Sequence, residues 1–458
     1  MFAYTASFAA SLEFAMTTSV SASDVPGPAP SAAEWLGRGY ADDHNATAAS
    51  DTLLINEQSR LLETQGRRIT KFGFGQSPFP VFPPAVETLA EHAADKAYLP
   101  VQGMAALREQ VAAFHRHMEG TDWRAERVLI APGSKLLLFA LMKALPRAEV
   151  LIPAPAWVSY APQARLAGQP AVRLETSFDS RWLVTPAQLD RHCREHDPSL
   201  RLLILNAPGN PTGLSYEPEM QRELAAVAKR HGVLVLSDEI YGPLHHRGEH
   251  RPFALDYPEG TLTTSGLSKW CGAGGWRLGV LNVPEALGDA LLTRLLGLAS
   301  ETWSSVASPV QAAAITAYSV TPALEAYLEA QRQWLSAIGR WCAQRLEAAG
   351  IRTHAPDGGF YLFPDFSAYR EILRARGIAT SAELTARLLE EAGIALLPGS
   401  AFGCESTQLT ARLAYVDFDG AALLERDYPD DLESAMAVPE LATVRHGIEA
   451  LVAWLNGA

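Results

Sequence analysis

The sequence predicts an α/β fold with a mostly parallel, seven-stranded type of sheet between helices, followed by a smaller α+β domain. Three observations carry this. Apolar runs without alternation, Val150–Ile152, Leu202–Leu205 and Val233–Leu236, read as strands buried on both faces. Helical pattern separates the runs, the order that joins parallel strands by crossovers. The unusual residues fall just past the runs, at Pro153–Tyr160, Asn206–Gly213 and Ser237–Tyr241. Open sheets of this kind bind ligands at the carboxyl ends of their strands.

Each element can be justified in turn. Residues 1–49 are rich in Ala, Ser, Thr and Pro, with no basic residue before Arg38, and are expected to form a partly disordered arm. Glu13 and the lack of an early arginine fit neither a secretory nor a mitochondrial leader. Leu53–Ile55 and Leu61-Leu62 stand at helical spacing. Ile69 to Gly75 reads as a strand ending in a glycine turn, with Pro78 and Pro80 barring its continuation. A helix is expected from about Pro84 to Lys96 and another opening at Met104. Strand Arg127–Ile130 then runs through Gly133-Ser134-Lys135 into a helix over Leu136–Leu145. The unpaired N–H groups and dipole at that helix start make an anion site.

Beyond residue 320 the helical pattern runs on to Gly350. Strands are expected near Gly359–Phe363, Ile394–Leu397 and Thr410–Tyr415, with a last helix near Val444–Leu455. The acidic stretch Asp417–Glu440 reads as a surface insertion. We divide the chain into the arm, a small-domain segment at 50–80, a large domain at 81–320 and the rest of the small domain at 321–458.

Composition narrows the function. The 458 residues are 48% hydrophobic and 19% charged, ordinary for a globular protein, and carry a net charge of −13. That charge argues against nonspecific nucleic-acid binding, and no apolar run is long enough to span a membrane. Cys193, Cys271, Cys342 and Cys404 show no paired or metal-ligand spacing, so reduced thiols in a cytoplasmic protein without a metal are expected.

The stretch Ser265–Gly279 carries the chemistry. Lys269 is followed eight positions later by Arg277, with Gly272, Gly274 and Gly275 between them. Glycines let backbone approach a ligand closely, and an arginine fork holds a phosphate. The pair reads as a Schiff-base lysine for pyridoxal phosphate with its phosphate clamp.

With Asn210-Pro211-Thr212-Gly213, Asp238-Glu239-Ile240-Tyr241, Ser268-Lys269 and Gly275-Trp276-Arg277 in this order, the chain resembles a class I aminotransferase of pyridoxal-phosphate fold type I over roughly residues 50–458. The resemblance implies pyridoxal 5′-phosphate on Lys269, with Lys269 also moving the substrate proton. Asp238 would pair with the ring nitrogen, Tyr241 and Asn210 with the phenolic oxygen, and Trp157 would stack on the ring. Gly133, Ser134, Ser268 and Arg277 would hold the phosphate. Tyr98 would reach it from the neighbouring subunit of a homodimer, with Ser304 or Ser305 as further candidates.

Arg412 would grip the substrate α-carboxylate, Gly75 would close over the substrate, and Phe360 would help line the pocket. Lys135 faces either the phosphate or, as in aspartate-preferring relatives, a distal carboxylate. The expected activity is ping-pong transfer of an amino group from an L-amino acid, best aspartate or glutamate, to a 2-oxo acid in amino-acid metabolism. A β-lyase, cyclase or aminocyclopropane-carboxylate-synthase-like reaction would use nearly the same residues. A non-enzymatic regulator would need a DNA-binding segment that the acidic arm cannot supply.

Overall fold

The structure is a computed structural model that describes residues 51–196 and 200–457, so the expected arm lies outside it. Seven strands form the main sheet: β2 (Val128–Ala131), β3 (Glu149–Ala154), β4 (Ala171–Glu175), β5 (Arg201–Asn206), β6 (Leu234–Asp238), β7 (Thr261–Gly266) and β8 (Gly279–Asn282). Their order across the sheet is β2-β8-β7-β6-β5-β3-β4. Pairing is parallel from β4 through β7, whereas β8 runs antiparallel to both β7 and β2.

The unalternating strand pattern has a direct cause. Leu151, Leu203 and Val235 face one core, with Leu189 and Leu224 of the helices Pro186–Glu195 and Pro218–Arg230. Val150, Ile204 and Leu236 face another, with Leu137 and Leu141 of the helix Ser134–Ala144. Successive strand side chains point to opposite faces, and helices cover both.

Three strands had no apolar signature. β7 is Thr-Leu-Thr-Thr-Ser-Gly, yet all six residues are buried. Two of its four hydroxyls find backbone acceptors: Thr261 Oγ1 donates to Tyr257 O at 2.6 Å, and Thr264 Oγ1 to Val280 O at 3.0 Å, while those of Thr263 and Ser265 are buried without a partner. A buried hydroxyl with such a partner is inexpensive. β4 lies at the sheet edge and is only partly buried, and β8, Gly-Val-Leu-Asn, is buried throughout but has only two large apolar residues.

The remaining strands are brief. β1 (Thr70–Lys71) pairs in parallel with β10 (Ile394–Ala395), and β11 (Leu397–Pro398), β12 (Ala411–Ala414) and β9 (Tyr361–Leu362) form an antiparallel sheet. A 27-residue helix, Pro322–Ala348, supports them, opened by Thr321, whose side chain accepts from Leu324 N.

Three expectations are corrected. β1 spans two residues rather than the whole of 69–75, because the chain turns after Phe72 to reach the site. The helix from Pro83 ends at Glu91 instead of Lys96, since the following His92–Asp95 turn is closed by hydrogen bonds. The stretch 417–440 is more than surface: its short helices Gly420–Leu424 and Leu432–Ala437 bury Leu423, Ala435 and Met436 beside the long helix, while Asp419, Glu425, Asp427, Asp430, Asp431 and Glu433 are exposed.

Candidate active site

β7 ends at Gly266, and the turn beyond it places Lys269 above the carboxyl edge of the sheet. Lys269 Nζ donates to Gly75 O at 2.8 Å and lies 5.6 Å from the ring centroids of Tyr241 and Phe360. Burial, then the charges of Arg412 and Arg277, bring its pKa down to about 8, against the opposing pull of Asp238. An amine in that range is a usable base near neutral pH.

Asp238 is the last residue of β6 and is buried. Its Oδ2 accepts from Tyr160 OH at 2.7 Å, while Oδ1 is buried without a hydrogen-bond partner. Burial pushes the carboxyl up to about 6, with the Tyr160 hydrogen bond working against the rise. An orphaned carboxylate oxygen at a strand end is a vacancy for a proton donor.

The residues of the expected anion site lie close together. Gly133 caps the helix Ser134–Ala144 at φ +88°, and a Cβ there would lie 2.3 Å from Arg277 Nη2. Arg277 itself adopts φ +54° and donates to Gly274 O at 2.9 Å, so its fork stands over the helix start. Ser268 is on the same turn as Lys269. Lys135, one residue into the helix, holds its ammonium 5.4 Å from the Trp157 ring centroid. Burial and the Arg277 charge lower the Lys135 pKa.

On the other side, Arg412 is buried in β12. It donates to Gly73 O at 2.6 Å and to Asn210 Oδ1 at 3.1 Å, and its Nε has no partner. Tyr361 lies beneath its guanidinium, with the ring centroid 4.9 Å away. Tyr361 OH is 2.8 Å from Tyr241 OH, and a Cβ on Gly75 would fall 2.1 Å from that same Tyr361 hydroxyl. Gly75 is therefore required by contact, not only by turn geometry.

Lys269, Asp238, Tyr241, Asn210, Gly75, Phe360 and Arg412 thus converge, with Trp157, Lys135, Gly133, Ser134, Ser268 and Arg277 around them. Tyr98 does not join them within this chain; it is 96% exposed. Tyr160 and Tyr361 were missed. Tyr361 adjoins Phe360 and Tyr160 stands three residues after Trp157, but the partner of each lies on a distant segment, and spacing along the chain cannot reveal that.

Behind Asp238 lies a buried charged group. Among the described residues, Glu119, Glu239 and His250 bring ligand-type atoms within 4.8 Å of one another. These atoms are already engaged: Glu239 accepts from Ser237 Oγ at 2.6 Å and stands 3.1 Å from His250 Nε2, and Glu119 is 2.7 Å from His115 Nδ1. Burial alone would depress His250, but the hydrogen bond and charge of Glu239, with Glu119 beyond, raise its pKa.

Known proteins share this architecture. The chain is 34% identical over 377 residues to the aspartate aminotransferase of Geobacillus stearothermophilus, covering 80% of this chain and 91% of that protein. It is 30% identical over 370 residues to the aspartate/prephenate aminotransferase of Thermus thermophilus, covering 80% and 92%. The solved structure of Thermus thermophilus aspartate aminotransferase with maleate superposes with a TM-score of 0.75 at 27% identity, covering 88% of this chain and 96% of that one. The sequence model of class I and II aminotransferases matches residues 67–417, and the chain belongs to that family.

Proposed function

We propose that this aminotransferase uses pyridoxal 5′-phosphate to move the amino group of aspartate or glutamate to a 2-oxo acid. The observation that carries the reading is the opposition of Lys269, near pKa 8, to the unpartnered buried Oδ1 of Asp238. The site fits the cofactor: Asp238 Oδ1 lacks a hydrogen-bond donor, and Gly133, Ser134, Ser268 and Arg277 form a cradle that a Cβ at Gly133 would fill. Bound there, pyridoxal phosphate supplies a carbonyl for amine exchange and a ring that withdraws electrons from the substrate Cα.

The chain's own residues do the rest. Arg412 presents a planar fork to the substrate α-carboxylate, with its own orientation held by Gly73 O and Asn210. Lys269 Nζ, largely neutral above pH 8, takes the proton from the substrate Cα. With the cofactor bound, Asp238 Oδ1 would hold a proton on the ring nitrogen, Tyr241 and Asn210 would orient the phenolic oxygen, and Trp157 would pack on the ring. Gly75 and Phe360 cover the substrate and exclude water.

Lys135 supports a dicarboxylate substrate: it places a cation beside Trp157 at the edge of the site. The names of the relatives, and the maleate in one solved structure, point the same way. The exposed Tyr98 supports a homodimer in which it reaches the partner's phosphate site. We retain the division into a large domain at 81–320 and a small domain at 50–80 and 321–458. Four free thiols support a cytoplasmic setting.

The test is a half-reaction. Yellow enzyme is mixed with single amino acids while formation of pyridoxamine phosphate and the keto product is followed. Conversion by aspartate and glutamate, reversed by 2-oxoglutarate, is expected; released ammonia without pyridoxamine phosphate would mean elimination instead. In the same assay Lys135→Ala should cost about 1.5–3 kcal/mol toward dicarboxylates. An unchanged preference for aspartate over alanine would remove Lys135 from substrate selection.

A further inference from the structure

Tyr160 opens the short helix Tyr160–Leu166, which follows β3, and its phenol crosses to the end of β6. It is 2% exposed, and its hydroxyl donates to Asp238 Oδ2 at 2.7 Å. The edge of the same ring meets Trp157, with centroids 5.3 Å apart and planes at 80°. One buried side chain therefore touches both the carboxylate assigned to the ring nitrogen and the indole assigned to the ring face.

We propose that Tyr160 is a positioning residue for the cofactor: by occupying Asp238 Oδ2 and buttressing Trp157, it leaves Oδ1 as the one oxygen free to face the pyridine nitrogen. This rests on the reading of Asp238 given under the proposed function. The physical basis is satisfiability. A carboxylate offers two oxygens, and in a dry site an unheld carboxyl can rotate about its last torsion and present either of them. A donor fixed on one oxygen removes that choice before ligand arrives.

Tyr160 can play this part because it remains a donor. Burial first, then the negative charge of Asp238, hold its phenol well above the usual tyrosine range. The groups facing Asp238 come from several elements. Tyr160 donates from its helix, Lys269 brings a positive charge from the turn after β7, and Glu239 a negative one from the adjacent position, with the Ile240 backbone N–H nearby and Tyr241 next along the same segment. Of these, Tyr160 is the one whose side chain is hydrogen-bonded to the carboxyl. Removing its hydroxyl should therefore make Asp238 easier to protonate and less well aimed.

The experiment is a double-mutant cycle on the full chain, with Tyr160→Phe, Asp238→Asn and the combination. The readouts are the dissociation constant for pyridoxal phosphate and, in the cofactor-free protein, the infrared titration of the Asp238 carboxyl. Thermal melting of each variant verifies folding. Tyr160→Phe is expected to weaken cofactor binding about tenfold and to move the Asp238 titration to higher pH. In the Asp238→Asn background the same change should alter binding less than about twofold, because the residue it acts through is gone.

A Tyr160→Phe protein that binds as tightly as wild type, or that loses the same factor in both backgrounds, overturns the proposal while leaving Asp238 in place. Wild-type cofactor affinity in Asp238→Asn alone would instead sink the assignment of Asp238.

Discussion

At the scale of single residues, the chemistry rests on groups held away from their ordinary protonation. Lys269 is the clearest. Its pKa in the folded chain is about 8 against an ordinary 10.5, so between those values the unfolded chain binds the proton that the folded chain releases. Stability therefore rises with pH across that window, and below about pH 8 the buried ammonium is a cost. Lys269→Met should stabilise the cofactor-free protein at pH 7 by roughly 2–3 kcal/mol. The advantage should shrink as pH climbs toward 10.5, which paired thermal melts would check. A variant less stable than wild type at pH 7 would mean that the contact with Gly75 O outweighs the burial of charge.

His250 runs the other way. Its pKa is raised above the ordinary 6.5, so its pairing with Glu239 contributes fully below that value and fades as pH rises through the folded one. Both side chains are buried, at 8% and 1% exposure. Truncation to His250→Ala leaves a carboxylate without its charged partner and should cost about 3–5 kcal/mol. Denaturant midpoints at pH 6 should show the larger loss, and at pH 8.5 a smaller one; equal losses would mean that packing alone is at stake.

At the scale of elements, the proposed phosphate cradle depends on two backbones in contact. β8 passes directly behind the start of the helix Ser134–Ala144, and a Cβ on Gly279 would stand 2.2 Å from Ser134 N and 2.4 Å from Gly133 C. Those atoms cannot yield as a flexible side chain would. Gly279→Ala should therefore displace the helix start, costing about 1–3 kcal/mol and weakening pyridoxal phosphate binding, as read by titration of the cofactor-free protein. Binding at wild-type strength would show that the strand, rather than the cradle, absorbs the shift. The glycine run in the 265–279 segment, legible as a close approach to ligand, is thus also a close approach of strand to helix.

At the scale of the whole molecule, the sites are proposed to be shared between subunits. Lys269 and Tyr98 would then serve one site from two different chains. Mixing inactive Lys269→Ala with Tyr98→Ala under conditions of subunit exchange should produce hybrids that hold one site with both native residues. Activity rising above either parent after mixing is the expected result. Activity equal to the average of the unmixed parents would place Tyr98 outside the catalytic unit.

Much of this was legible in the sequence for physical reasons. Strands buried on both faces must be apolar throughout, so β3, β5 and β6 declared themselves along with the edge where the candidate site residues emerge. Lys269, Asp238, Asn210, Arg277 and Arg412 were visible because few roles suit such residues at strand ends or amid glycines. Other features depended on segments far apart in the chain. β7 is buried yet hydroxyl-rich, and Thr261 and Thr264 find their acceptors on other segments. Tyr160 meets Asp238 across 78 positions, and Tyr361 meets Tyr241 across 120. Local pattern records what a residue must avoid, which is water or an unpaired charge. Which distant group satisfies it is settled when the strands pair and distant segments meet at the sheet edge, so the second layer of the site belonged to the tertiary structure alone.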